Sequence, residues 1–471
     1  MSTRFLFNKV PAAAPFWVFV AFIVLVFLTG GGARADIQSL AILRPASAVV
    51  LGYALWGMQR GDVKGWGILI AVAVAIIALV GLHLLPLPPA IWHTLPGREL
   101  AIIIDKTAGL GSVWRPISLV PSETWNALFS LLTPAAALAL MIRISPLERQ
   151  HVLLVLIALG VVSGLIGMLQ AIGPVDGPLY FYRITNGSAA VGLFANRNHH
   201  AIYLACLFPM LAVFASMAGH SVEQVRFRSG VALGIGILLV PLLLVAGSRS
   251  GLALGIVGLV SAALLYKPPQ TTAPAKRKVH RFNPRYVIAG VAVFGLTTLT
   301  ILMSRANVID RLFAEDAVSE LRFAVWPRIV AMSMQYLPLG SGIGSFVEIY
   351  QVHEPLDLMT TEYLNHAHND WVELFLTGGI PAVMILLFVI AAWAQRGLFL
   401  FRLPAMSRLA LLFAKLGFFL MLMLALGSIG DYPLRAPSIA MFFAIVAAWF
   451  VAPQSSRMPT QIGSGAMSKS S

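Results

Sequence analysis

The chain has 471 residues, of which 58% are hydrophobic and only 11% are charged, and its mean hydropathy is +0.84. Because a soluble protein carries about 25% charged residues, this composition excludes a soluble globular protein and indicates an all-α polytopic membrane protein. The net charge of +14 fits basic residues gathered in cytoplasmic loops, so we expect membrane lipids and no nucleic acid as partners. Cys206 is the single cysteine, which excludes a disulfide framework and a cysteine metal site.

About twelve apolar runs approach the roughly 20 residues that cross a bilayer. The predicted spans lie near 15–30, 38–57, 65–86, 124–143, 151–172, 199–218, 229–246, 250–266, 286–303, 371–395, 406–427 and 436–453. The seventh and eighth spans are divided only by the short gap 247–249. The first run resembles a signal peptide, since Arg4 and Lys9 precede it, but we expect an uncleaved helix.

Basic residues orient these spans. If the N-terminus is cytoplasmic, more than half of the Lys and Arg side chains fall in the cytoplasmic segments, most of them in short loops, and Lys276-Arg277-Lys278 is the strongest group. The sequence therefore predicts cytoplasmic N- and C-termini. The tail 454–471 is rich in Ser, Gly and Met and is predicted to be disordered.

The opposite, outer face carries basic residues that are nearly all arginine, with Lys106 the only lysine. The planar guanidinium fork matches phosphate oxygens, whereas lysine is a point charge, so this bias indicates an anionic ligand. The alternative is pairing with carboxylates of the same loop, for example Asp310 or Glu320. Two outer segments are long: the Pro-rich stretch 87–123, predicted to be irregular or interfacial, and the loop 304–370, predicted to contain a short helix near 317–334.

The densest polar cluster is Asn365-His366-Ala367-His368-Asn369-Asp370, directly before the apolar run at 371. A neutral imidazole here could act as a general base toward a hydroxyl acceptor. Two other interpretations remain open. One is a metal pair of His366 and His368, with a third ligand among His199, His200, Asp370 and Glu373. The other is a capped helix, with Asn369 or Asp370 as N-cap.

Two further motifs lie at predicted outer helix starts. In the stretch 192–200, a helix N-terminus with Arg197 could bind an anion, or Asn198 could be its N-cap. In Ser248-Arg249-Ser250-Gly251, no Asp or Glu lies within twenty residues of Arg249. This arginine therefore needs a ligand or a carboxylate from another helix.

Two motifs lie in the outer loop. Arg322 and Trp326 are four residues apart and share a helical face, which suits a sugar ring beside a phosphate or ordinary interfacial packing; Arg328 points elsewhere. The glycine-rich stretch 340–344 could cradle a phosphate, but without a preceding strand it is better explained as a turn.

Taken in order, these motifs resemble the O-antigen ligase and polymerase family of bacterial envelope glycan assembly. The similarity covers about 185–395 and includes 192–201, 248–251, 342–346 and His368-Asn369 followed by Gly378-Gly379-Ile380-Pro381. In the ligase branch, His-Asn is followed by nine residues, Gly, two residues and a small residue or Tyr. Here Gly379 and Ala382 stand at those positions, although Gly or Thr is more usual at the last. We accordingly divide the chain into helices 1–184, a ligase-like core 185–395, helices 396–453 and the tail 454–471.

The resemblance implies a fold like that of the GT-C-type, metal-independent, lipid-linked glycosyltransferases, in the bacterial inner membrane with a periplasmic active site. The donor would be a glycan on undecaprenyl pyrophosphate, transferred with inversion and without a cofactor. By motif, Arg249 and Arg322 would hold the pyrophosphate and His368 would activate the acceptor hydroxyl. The secondary substrate-binding candidates are Asn196, Arg197, His199, Trp326, Arg328, His366 and Asn369.

The acceptor separates the two branches. A ligase passes the glycan to lipid A–core, and a polymerase passes it to another lipid-linked repeat; the near match over 368–382 favours the ligase. A transporter or flippase is a different class. It is disfavoured because charges within the spans are few, chiefly Lys415, and polar residues concentrate on one face rather than at the midplane.

Overall fold

The computed structural model describes residues 13–175, 177–187, 189–271, 295, 317–356, 359, 363–402 and 406–452. For residues 317–323 it describes the backbone and not the side chains. Helices make up 71% of the described residues and strands almost none, so the protein is an all-α membrane-embedded polypeptide. The helices are α1 Ala14–Thr29, α2 Leu40–Trp56, α3 Gly67–His83, α4 Pro89–Trp92, α5 Glu99–Thr107, α6 Pro121–Ser130, α7 Leu132–Arg143, α8 Pro146–Ile172, α9 Arg197–Ser216, α10 Val222–Ala246, α11 Arg249–Leu265, α12 Ala317–Gln335, α13 Phe346–His353, α14 Asp370–Arg402, α15 Arg408–Gly430 and α16 Pro437–Val451.

Among the described residues, six helices are long and apolar enough to cross a membrane, and five shorter apolar helices accompany them. One of the six is the continuous stretch Pro121–Arg143, formed by α6 and α7. These helices coincide with every predicted span except the one near 286–303, of which the structure describes only residue 295. The tail 454–471 lies outside the described residues. The division at 247–249 is confirmed, because Gly247 ends α10 with a left-handed φ of 62° and Ser248 caps α11.

Helix α9 forms the centre of the bundle, buried among α8, α10, α11 and α15. Small residues let α11 approach it closely. A Cβ added at Gly258 would lie 2.6 Å from the carbonyl oxygen of Ala205, and one at Gly251 would lie 2.3 Å from the Cβ of Ala201. Close contact between small residues is the usual basis of helix packing in membranes. It fixes the starts of α9 and α11 side by side.

The stretch 338–344 is a loop wedged against a kink in α14. Gly379 interrupts the helix with φ 59° and ψ −155°, and a Cβ there would lie 2.3 Å from the carbonyl oxygen of Pro338. The backbone N–H groups of Ser341 and Gly342 donate to carbonyls of α14, and that of Ile343 donates to His83 Nδ1. Because protein acceptors occupy these donors, the loop is a packed turn rather than a phosphate cradle.

Helix α12 confirms the short helix expected near 317–334. The Pro-rich stretch 87–123, expected to be irregular or interfacial, is more regular than expected: it contains α4, α5 and a two-stranded antiparallel sheet, β1 Pro86–Leu87 with β2 Arg115–Pro116. Buried Arg98 joins this stretch to the glycine loop, since its guanidinium donates to the carbonyls of Pro96, Ile117 and Gly340 at 2.7, 2.7 and 3.1 Å.

Candidate functional site

Three helix N-termini meet at one end of the bundle. Each begins with a polar N-cap whose side-chain oxygen accepts backbone N–H groups of the first turn: Asn196 for α9, Ser248 for α11 and Asn369 for α14. Such caps satisfy donors that a helix start otherwise leaves open. Since N-termini carry partial positive charge, their meeting favours an anionic group between them.

Asp431, immediately after α15, supplies that group and is completely buried. Its Oδ2 accepts hydrogen bonds from Nδ2 of Asn198 at 2.7 Å and of Asn196 at 3.5 Å. Its Oδ1 lies 3.5 Å from Nδ1 of His368 and 3.7 Å from Nε2 of His199. One carboxylate therefore gathers side chains from the start of α9 and from the histidine segment before α14.

Asp431 remains ionised in this setting. Burial by itself raises the pKa of the carboxyl, but the neighbouring imidazoles of His199 and His368 outweigh it and hold the pKa well below its usual value. A carboxylate that is ionised at neutral pH beside Nδ1 of His368 favours the proton on that nitrogen. The nitrogen of the ring that can accept a proton is then Nε2.

Asn198 extends the network to α11. Ser248 Oγ donates to Asn198 Oδ1 at 2.8 Å, while Asn198 Nδ2 donates to Asp431. Arg249 follows Ser248 as the first residue of α11, and it is exposed. A hydrogen-bonded path thus runs from the residue beside Arg249 to the carboxylate that faces His368.

Tyr432 packs the histidines together. Its ring centroid lies 4.3 Å from that of His366, 4.9 Å from that of His368 and 5.2 Å from that of His199. The Tyr432 hydroxyl accepts a hydrogen bond from Asn365 Nδ2 at 3.3 Å. An aromatic ring in contact with all three imidazoles restricts their rotation.

A second buried carboxylate holds the backbone of the histidine segment. Glu373 Oε2 accepts the N–H of Ala367 at 3.0 Å, and Oε1 lies 3.1 Å from His366 Nδ1. Arg435 contacts Glu373 Oε1 and Asp370 Oδ1, each at 3.2 Å. Burial lowers the pKa of Arg435, but the charges of Glu373 and Asp370 raise it above its usual value. We call these four residues, His366, Asp370, Glu373 and Arg435, the Glu373 clamp.

His368 has a left-handed backbone, with φ of 50°, and among the described residues it is the only non-glycine with positive φ. This conformation costs an ordinary L-residue about 1–2 kcal/mol. The residues on either side are fixed, Ala367 by the Glu373 clamp and Asn369 by its capping bonds. Strain held in place by surrounding contacts is common at functional sites.

A family comparison matches the part of the chain that carries the Ser248 motif and the histidine segment. Residues 234–387 fit the model described as O-antigen ligase. Over these residues the chain is similar to the O-antigen ligase family. This match supports a glycosyltransferase of the general ligase or polymerase type. No curated protein matches the chain in a sequence comparison.

The matched stretch begins within α10 and ends within α14, so it contains the Ser248 motif, Arg249, α12 and the histidine segment. It does not contain the start of α9 or Asp431. The resemblance expected over 185–395 is thus supported over this narrower range. The structure, rather than the family match, connects Asn196, Asn198 and Asp431 to the matched stretch.

The structure describes the side chains of only some of the predicted site residues in α12. Trp326 Nε1 donates to the carbonyl of Ala367 at 3.0 Å, which brings α12 against the histidine segment. Arg328 is half-buried two residues further on. Arg322 lies one turn before Trp326 in α12, but its side chain is outside the described residues. Arg197 is half-buried at the start of α9, where its backbone N–H donates to Asn186 Oδ1 at 2.9 Å.

Two expectations need correction. The cap of α9 is Asn196, not Asn198; the side chain of Asn198 is used instead to bridge Ser248 and Asp431. The arginine bias of the outer face is also a weaker sign of a ligand than expected, because several of these arginines have protein partners. These are Arg34 and Arg183 with Asp36, Arg115 with Asp105, Arg435 with Asp370 and Glu373, and Arg98 with backbone carbonyls.

The histidines considered for a metal have other contacts. His366 pairs with Glu373, His368 faces Asp431, and His200 Nδ1 lies 2.9 Å from the carbonyl of Ala190. Within the described ranges, no group of three or more His, Cys, Asp or Glu is arranged to hold a metal ion. The predicted cap at this helix start is confirmed, with Asn369 rather than Asp370 as the capping residue.

Sequence reasoning missed Asp431 and Tyr432, and it counted Arg435 only as an outer charge. A signal was present, because Asp431 is the only acidic residue after Glu373 and lies between two apolar runs. An isolated carboxylate at the end of a membrane span needs a partner. Its partners are distant in sequence, so only the fold identifies them.

Proposed function

We propose that the protein is a periplasm-facing glycosyltransferase of the bacterial inner membrane. It transfers a glycan from undecaprenyl pyrophosphate to a hydroxyl of lipid A–core. The observation that carries this proposal is the path Ser248–Asn198–Asp431–His368, which joins three separate motifs around one imidazole. All of these residues lie at helix ends on one face of the bundle, as an enzyme acting at the membrane surface requires.

His368 acts as the general base. Its Nδ1 is oriented by Asp431, and Nε2 takes the proton from the acceptor hydroxyl as that oxygen attacks the anomeric carbon. The bond from this carbon to the pyrophosphate oxygen breaks at the same time, and the leaving group keeps the electron pair. Attack opposite the leaving group inverts the configuration at the anomeric carbon.

Arginine stabilises the departing pyrophosphate. Arg249 stands at the first turn of α11, so its guanidinium adds to the positive end of that helix. Arg322 is proposed as the second arginine on the strength of its motif. Positive groups fixed where charge develops lower the barrier more than groups that must reorganise, and no divalent ion is needed for this step.

The test is a gene deletion complemented with His368→Ala and Arg249→Ala, followed by glycan analysis. A general base contributes about 10²–10⁴-fold, so we expect His368→Ala to lower transfer by that factor. His93→Ala, an exposed histidine, is the matched control. Lipid A–core without O-glycan, together with accumulated lipid-linked polymer, supports the ligase.

Other outcomes of the same experiment separate the alternatives. Core bearing single repeats indicates a polymerase, which the match over 368–382 makes the second choice. Full activity of both variants contradicts the mechanism.

A further inference from the structure

A cavity of about 240 Å³ lies beside the candidate site. It is formed by the loop that joins α1 to α2 and by the segment 181–184. Its walls combine the apolar side chains of Leu28, Phe181 and Ile184 with the charged side chains of Arg34, Asp36 and Arg183. This combination is typical of a site for a molecule with one charged and one apolar part.

The charged part of the cavity is positive. Arg34 contacts both oxygens of Asp36, with Nε 2.9 Å from Oδ1 and a terminal nitrogen 3.2 Å from Oδ2. Arg183 reaches the same Oδ2 at 3.5 Å, and its side chain is 81% exposed. Two guanidinium groups share one carboxylate, so a second anion would complete the charge balance. The guanidinium fork is matched to phosphate oxygens.

The apolar part of the cavity is open to its surroundings. Leu28 is 56% exposed, Phe181 50% and Ile184 48%. Leu28 belongs to the last turn of the apolar helix α1, so the cavity lies at the level where membrane helices end. Lipid headgroups occupy this level of a bilayer. Exposed apolar side chains next to the exposed Arg183 and the partly exposed Arg34 at this depth fit a lipid with an anionic head.

The cavity adjoins both arms of the candidate site. The Arg34 guanidinium lies 5.7 Å from the ring centroid of Tyr363, which shortly precedes the histidine segment. Ala195 lines the cavity and is followed by Asn196, the cap of α9. A molecule held here would therefore touch the two segments that meet at Asp431.

We propose that this cavity binds the phosphate-bearing headgroup of an anionic lipid. Arg34 and Arg183 contact the phosphate, while Phe181 and Ile184 contact the first part of the lipid chains. The lipid enters from the membrane face on which the candidate site lies. This binding does not depend on glycosyl transfer, so it is testable apart from the proposed function.

The experiment titrates the purified full-length protein in detergent and follows binding by native mass spectrometry. The probes are dilauroyl phosphatidic acid, phosphatidylcholine with the same chains, and inorganic phosphate. We expect phosphatidic acid to bind more tightly than either of the others. The double variant Arg34→Gln/Arg183→Gln should weaken it about tenfold or more, since hydrogen bonds between charged groups are lost.

Three variants control this result. Arg60→Gln changes an exposed arginine at the opposite end of α2 and should leave the affinity unchanged. Arg183→Gln alone keeps the Arg34–Asp36 pair that supports the loop and should still weaken phosphatidic acid, so a folding defect of the double variant does not decide the outcome. His368→Ala should bind phosphatidic acid like the wild type, which separates this site from the transfer reaction.

Any of three results overturns the proposal. The first is equal affinity for phosphatidic acid and phosphatidylcholine, and the second is an Arg183→Gln variant that binds like Arg60→Gln; in either case the arginines do not recognise the phosphate. The third is inorganic phosphate binding as tightly as phosphatidic acid, because the site would then hold an ion without a lipid.

Discussion

Glu373→Gln is the substitution that most directly tests how the histidine segment is held. Glu373 is buried and keeps three groups in place: the N–H of Ala367, the imidazole of His366 and the guanidinium of Arg435. Glutamine has nearly the same shape but loses the charge and one acceptor oxygen. It therefore weakens the Glu373 clamp without leaving a cavity.

The expected magnitudes follow from these contacts. Removing one partner of a buried ion pair costs about 3–5 kcal/mol, and because Arg435 keeps Asp370, we expect about 3 kcal/mol of stability to be lost. The left-handed backbone of His368 costs about 1–2 kcal/mol. If the clamp no longer opposes it, the fraction of molecules with His368 in place falls about 5–30-fold. We expect kcat to fall by the same factor.

The assay measures transfer from a lipid-linked glycan donor by the purified enzyme, with kcat and KM determined separately, and thermal unfolding in the same detergent. Glu99→Gln, in the exposed first turn of α5, is the matched control. A structural defect alone would lower the unfolding temperature and the active fraction but leave KM and the pH profile of the folded enzyme unchanged. Loss of the His368 geometry should also change the pH profile.

Two results would refute this reasoning. If Glu373→Gln keeps the kcat of the wild type, the clamp does not maintain the conformation of His368. If KM rises while kcat is unchanged, the residue contributes to substrate binding rather than to the position of the base.

Two other substitutions test the supporting structure. The pKa of Asp431 is lowered in the folded protein. Its charge therefore contributes stability at pH values above the unfolded pKa of about 3.9. That contribution is lost as the pH falls through the pKa of the folded state. Asp431→Asn should thus unfold at a lower temperature at pH 7, with the difference from the wild type shrinking only below about pH 4; a difference that vanishes already at pH 6 would contradict this. Arg98→Met leaves three carbonyls without their donor and should lower the free energy of unfolding by about 3 kcal/mol or more. Arg60→Met, the control, should leave the free energy of unfolding almost unchanged. Equal effects of the two variants would show that the Arg98 contacts do not stabilise the fold.

Helix existence was predictable from the sequence because it depends on local properties. The apolar runs had to be helical, since backbone groups in lipid must be satisfied within the segment. The break at Gly247 and Ser248 was visible because glycine permits a left-handed cap and serine accepts N–H groups. The position of the histidine segment before α14 followed in the same way. The order and spacing of the motifs separately gave the resemblance to O-antigen ligases, which the match over 234–387 supports.

The composition of the site was only partly predictable. His368, Arg249 and the cap Asn369 were visible as isolated polar residues beside apolar runs. Asn198 was assigned to the wrong role because a two-residue shift in a helix start cannot be read from residue types alone. Several arginines attributed to a ligand are paired with carboxylates that are near in space, a fact that charge counting does not reveal.

The sequence by itself determined that the protein is a bundle of membrane helices with a polar histidine segment at one helix start, because hydrophobicity and capping act over a few neighbouring residues. The tertiary structure alone decided that Asp431, more than sixty residues after His368, faces its imidazole, and that Glu373 and Arg435 fix the backbone beside it. The physical reason is that a buried charge is stable only beside partners that offset its lost hydration, and packing of α9, α11, α14 and α15 brings those partners together.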